Sequence, residues 1–136
     1  MSFDKLKKKF PDATLETWHQ HQNGKGWVQN TASVADSVYI GPDALVYGTA
    51  WLCGNVRVYG NAQVFEDALV FGYAKVFIYA RVFGNAIVCG RTKIFDNAKV
   101  SGNVWVKENA WVFRNVKLSG KEVVSGDTWL FESVSS

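Results

Sequence analysis

Histidine is almost absent from this sequence. His19 and His21 are the only two among 136 residues, and none follows position 21. That withholds the commonest general base, and the imidazole set of a three-histidine zinc site, from the rest of the chain. Cysteine is equally scarce, and Cys53 and Cys89 fit no catalytic arrangement. Proline occurs twice against twelve glycines, which suits repeated turns better than disorder. No apolar run reaches the length of a transmembrane helix. Met1 to Phe10 carries Lys5, Lys7, Lys8 and Lys9 with no apolar stretch behind them, unlike a secretory signal. A soluble, cytoplasmic protein with no membrane partner is expected. The net charge of +3 is too small to argue by itself for nucleic acid.

What is abundant is a phrase. From Val70 the chain reads V-F-G-Y-A-K, V-F-I-Y-A-R, V-F-G-N-A-I. Every sixth residue from Val34 to Leu130 is Val, Ile or Leu. Two residues before each stands something small or β-branched, from Ala32 to Thr128, with Glu122 alone breaking the rule. A fixed short period marks a solenoid. Within A-x-V-F the side chains alternate, Ala and Val inward, x and Phe outward, so each unit is a short strand with one buried face. The Gly-Asn that follows is a corner, because Gly accepts positive φ without steric cost and Asn tolerates it. Gly48, Gly54, Gly60, Gly72, Gly84, Gly90, Gly102, Gly120 and Gly126 recur there. Three strands make one triangular coil, and coils stack as parallel strands about 4.8 Å apart.

On these residues, and on Ile40-Gly41-Pro42-Asp43-Ala44 in particular, the chain resembles the hexapeptide-repeat, left-handed parallel β-helix proteins. The repeat covers about 32 to 131. The resemblance implies an all-β, single-domain left-handed parallel β-helix. Many such relatives are trimeric acyltransferases, and others resemble gamma-class carbonic anhydrases. This chain prefers Phe or Tyr after the Val, where the enzymes more often have Gly or a small residue. In that respect it is similar to highly regular hexapeptide proteins of bacteria and phage. Residues 1–31 differ from the repeat. Phe3, Leu6 and Phe10 share one side of a short helix that Pro11 ends. With the segment Thr14 to His21 and the turn Asn23-Gly24 they read as a cap over the open end of a solenoid occupying 32–136. The polar tail from Glu132 to Ser136 would end the stack.

Residues eighteen apart share a column, so the outward positions sort by face. The first face reads Ser33, Trp51, Leu69, Ile87, Trp105, Val123, beside Cys53, Phe71, Cys89 and Lys107. So continuous an apolar stripe marks a contact surface. Trp51, Leu69, Phe71, Ile87 and Trp105 are its candidate residues, and relatives that trimerise side by side imply a homotrimer. Cys53 and Cys89, about 10 Å apart by strand spacing, are too distant for a bridge and read as buried thiols there. The second face carries Tyr39, Arg57, Lys75 and Lys93 beside Tyr59, Phe77 and Phe95. The third carries Arg81, Lys99 and Lys117 beside Tyr47, Phe65 and Phe83. Cations flanked by rings suit a small anion carrying a planar base. Arg57, Lys75, Arg81, Lys93, Lys99, Phe77, Phe83 and Phe95 are the candidate ligand residues. The bland alternative is a soluble face with mutually packed rings.

The acyltransferase relatives use a histidine near the intersubunit groove, often on a loop leaving the coil. Here no loop interrupts the repeat and both histidines precede it, so no catalytic residue is assigned. His19 and His21 read as a solvent-facing pair, no third ligand stands near them, and neither a metal nor a cofactor is expected. Glu66, Asp67, Asp96 and Glu108 fall at corners and solvate turns. Three functions remain open: a non-catalytic trimer that binds or sequesters a small nucleotide-like anion in basic, aromatic-lined clefts between subunits, without specific nucleic-acid binding; a coenzyme A acyltransferase; and a structural rod.

Overall fold

The computed structural model describes residues 1–132; of the tail expected from Glu132 to Ser136, all but Glu132 lies outside them. It is a single-domain parallel β-solenoid of about six turns, preceded by helix α1 (Phe3–Lys9). Strands β1 (Trp18–Gln20) and β2 (Trp27–Gln29) come next. From β3 (Ser33–Val34) to β19 (Trp129–Leu130) two-residue strands recur every six residues. They form three sheets. Sheet I holds six strands including β3, sheet II six including β19, and sheet III seven including β1 and β2. Parallel register pairs Ile87 with Leu69 and Trp105, Lys75 with Arg57 and Lys93, and Arg81 with Gln63 and Lys99. The eighteen-residue columns are therefore the columns of the molecule.

The alternation produces the core directly. Ala74, Val76, Ala80 and Val82 are fully buried, and so are their counterparts in neighbouring coils. Main-chain bonds tie each coil to the next, as in Lys75 N–H to Thr92 O at 3.0 Å and Phe77 N–H to Ile94 O at 2.9 Å. Thr92 stands where the repeat has Ala, and its buried hydroxyl has no partner among the described residues.

The corners behave as the Gly-Asn phrase requires. Gly72 has φ +80°, and a Cβ added there would stand 2.9 Å from the Gly90 nitrogen. Non-glycine residues also occupy the left-handed region: Glu66, Ile78, Asp96, Glu108 and Arg114. Ile78 is the costly one, a β-branched side chain at φ 63° that is 39% exposed. Such a conformation costs about 1–2 kcal/mol. Gly120 is not among the positive-φ glycines. Its corner is closed by Glu122, which is half-buried rather than core and accepts the Gly120 N–H at 3.3 Å.

The N-terminal segment covers two things. Between β1 and β2 the chain runs under sheet II, where Ile40 N–H donates to Asn23 O and Gly26 N–H donates to Ile40 O. Strand β1 pairs antiparallel with β2, which in turn stacks in parallel on Leu45–Val46, so the ladder begins ahead of Ala32. Helix α1 does not lie over the open core. Its Leu6 packs with Trp18, Trp27 and Leu45 against the outward side of sheet III. Asp4 in its first turn and Lys7, Lys8 and Lys9 in its last suit the helix dipole.

The solvent-facing histidine pair is only half right. His19 is exposed, with Nδ1 2.6 Å from Asn30 Oδ1. His21 is only 4% exposed, and its Nε2 donates to Val38 O at 2.7 Å. Its turn passes under the first coil, where the Val38 carbonyl has no strand below to bond. Removing the imidazole leaves that carbonyl buried and unpaired, so His21→Ala should cost about 2 kcal/mol. Urea denaturation of the variant checks this, with His19→Ala as a near-neutral control.

Candidate functional site

The expected ligand residues fall on two faces and do not form one site. Arg57, Lys75 and Lys93 stand in register on sheet II; Arg81 and Lys99 stand in register on sheet III. Strand spacing brings successive cations to about 4.8 Å at their backbones. Arg57 lies over the Tyr39 ring at 4.5 Å, and Lys93 Nζ over the Trp111 ring at 4.6 Å. Lys75, Arg81 and Lys99 have no carboxylate partner among the described residues.

The aromatic columns close on themselves. Phe77 stacks on Phe95 with centroids 4.9 Å apart and planes 7° from parallel, and Tyr59 stacks on Phe77 at 5.0 Å. Phe83 stacks on Phe65 at 4.8 Å. The coil repeat is close to the ring-stacking distance, so a column of Phe satisfies its own faces. A planar base cannot enter between Phe77 and Phe95 without unstacking them. Phe83, which has Ser101 above it in the column, ends its stack inside the solenoid.

The concave surface lies instead at the corners. On sheet III a groove of about 390 Å³ is lined by Asn61, Tyr79, Arg81, Asn97 and Lys99, with Lys9 reaching it from α1. On sheet II a groove of about 460 Å³ is lined by Asn55, Arg57, Tyr73, Lys75, Arg91 and Lys93. Both volumes are within the range of small-ligand sites, and neither lining includes an acid. Sequence reasoning missed Lys9, Tyr73, Tyr79 and Arg91. The signal was present: at positions where the repeat has Asn, the middle coils have Tyr, Tyr and Arg. Tyr79 is 58% exposed, and no ring or cation stacks on it among the described residues. Tyr73 differs, because the Arg91 guanidinium lies 5.0 Å from its centroid.

Sheet I presents the expected apolar stripe. Trp51 is 59% exposed and Trp105 40%, with Leu69, Phe71 and Ile87 half-buried between them. Both cysteines are free, Cys89 buried and Cys53 only partly so. Trp105 Nε1 donates to Cys89 Sγ at 3.4 Å, and Lys107 Nζ lies 4.4 Å from the Trp105 centroid.

The corner acids have structural work. Glu66 accepts the Gly84 N–H at 3.0 Å, and Asp96 accepts the Arg114 N–H at 2.9 Å. Among the described residues no three His, Cys, Asp or Glu side chains come together as a metal-holding group. No helix there is long and apolar enough to cross a membrane.

Two tyrosines titrate abnormally. Burial raises Tyr47 above its ordinary 10.0, Arg81 pulls the other way, and Glu66 adds to the rise. Burial also raises Tyr59, against the pull of Arg57. The folded state thus holds each phenol proton more tightly than the unfolded chain does. Their contribution is whole below the unfolded value and is lost as pH rises through the higher folded value. Tyr47→Phe loses the 2.9 Å bond to Gln63 Oε1 and should cost about 1 kcal/mol at neutral pH. It should also flatten the alkaline decline in stability above about pH 10. Urea midpoints measured on both sides of that pH test the change in slope.

A family model described as the YdcK β-solenoid repeat matches residues 50–66. That segment contributes one strand to each sheet: Trp51–Leu52, Arg57–Val58 and Gln63–Val64. No curated protein and no solved structure matches the chain. The comparisons and the geometry agree on a β-solenoid repeat fold.

Proposed function

We propose that the chain is a non-catalytic β-solenoid that associates side by side as a homotrimer through sheet I and holds a small anionic, nucleotide-like ligand on its basic grooves. One observation carries the ligand: in-register cations line two grooves that contain no carboxylate. Like charges facing each other on adjacent strands destabilise a sheet. An anion seated between them turns that repulsion into attraction and forms charge-assisted hydrogen bonds. Sheet I supports the assembly. A copy meeting it buries Trp51 and Trp105, the residue type most favoured at contact centres, whereas a copy meeting sheet II or III would bury like charges.

Thermal unfolding in chloride and in inorganic pyrophosphate at matched ionic strength tests the ligand reading. Each groove filled by pyrophosphate at about 100 times its Kd should add about 2.7 kcal/mol. Equal stability in both salts contradicts the reading. It would favour the rod, whose support is that Arg57, Lys93 and Lys107 already rest on aromatic rings. The coenzyme A acyltransferase reading draws no support from the histidines, since His21 is committed to Val38 and His19 to Asn30.

A further inference from the structure

The two grooves are one arrangement written twice. Val70–Lys75 and Val76–Arg81 are consecutive hexapeptides. In each, a Tyr stands at the corner, an Ala points into the core, and a cation points out. One coil below, Asn55 and Arg57 lie under Tyr73 and Lys75, and Asn61 and Gln63 lie under Tyr79 and Arg81. One coil above stand Arg91 and Lys93 in the first case, Asn97 and Lys99 in the second. On the third corner the same positions hold Asp67 and Leu69, then Asn85 and Ile87, with no cation. The chemistry is thus present on two adjacent faces and withheld from the apolar one.

The copies differ at the ring. Arg91 lies 5.0 Å over one face of the Tyr73 ring, a side chain that is 54% exposed. Over Tyr79 the corresponding position is Asn97, and no ring or cation stacks on Tyr79 among the described residues. Asn61 and Asn97 add amide donors and acceptors on either side of that ring, suited to the polar edge of a base.

We propose that each chain binds two anionic groups, one in each groove, and that the Tyr79 groove alone accepts a planar group attached to the anion. A nucleoside diphosphate fits that description. This rests on the anion-binding reading above and goes further in site number and selectivity.

Calorimetric titration of the intact chain with two probes tests it. Inorganic pyrophosphate should saturate at two per chain. ADP should show one site per chain about tenfold tighter than the other, the size of a single base–ring stack. Tyr79→Ala should weaken that tighter ADP site about tenfold and leave pyrophosphate within about twofold, because only the ring contact is lost. Tyr73→Ala should leave ADP at the tight site unchanged. Pyrophosphate binding at one per chain overturns the paired sites while leaving an anion site intact. Equal weakening of both probes by Tyr79→Ala overturns the selectivity. Absence of saturable binding by either probe overturns this inference and the anion reading together.

Discussion

Val82→Asp is expected to unfold the middle of the solenoid, whereas Arg81→Glu, one residue away, leaves it folded. Val82 is fully buried in the continuous core, and its neighbours there are Val64 and Val100 in the coils below and above. No polar partner stands near it, so a carboxylate would be buried alone. The effective penalty is several kcal/mol, comparable with the whole stability of a small domain. A solenoid has no second core to absorb the damage, since each coil rests only on its neighbours. Arg81 points outward into the groove and is exposed. Reversing its charge places an acid beside Lys99 and relieves a like-charge contact, so stability should change by no more than about 0.5 kcal/mol. Far-ultraviolet dichroism and urea denaturation of the two variants decide it. Equal tolerance would mean that the inward and outward positions are wrongly assigned.

The second large effect concerns the ligand. Arg81→Glu combined with Lys99→Glu should weaken pyrophosphate binding in the sheet III groove about 100-fold or more. Two charge-assisted hydrogen bonds, each contributing about 1.5–3 kcal/mol, become repulsions. The fold should persist, because both side chains point outward. Wild-type affinity in this variant, with native dichroism, would leave that groove without a role. The wild-type affinity should itself fall as salt is added, since exposed charges are screened over about 10 Å at 0.1 M ionic strength.

The backbone was legible because one rule generates it. A single inward pair per hexapeptide fixes strand, corner and column together, and counting by eighteen placed Lys75 between Arg57 and Lys93 where the structure has it. Ring behaviour was less legible. Phe77 and Phe95 read equally as faces for a planar base and as mutually packed rings, and the coil spacing lets them stack on each other. Whether neighbouring rings satisfy one another depends on rotamers, which a column of letters does not record. Tyr73, Tyr79 and Arg91 were missed for a different reason: the corner was read as turn chemistry alone, although Tyr in place of Asn gains nothing for a turn. The cap was legible as an element but not in its placement. Nothing in Phe3, Leu6 and Phe10 says whether their shared side meets the open end or, as found, the flank of sheet III.

Native mass spectrometry of freshly purified protein tests the central claim most directly, with the small molecules released on denaturation identified in the same experiment. The account predicts an assembly of three 15.2 kDa chains carrying extra mass that resolves to a phosphorylated anion, and uptake of pyrophosphate once that anion is removed. A bare monomer that takes up no pyrophosphate would contradict both the contact role of the Trp51–Trp105 stripe and the ligand role of the basic grooves.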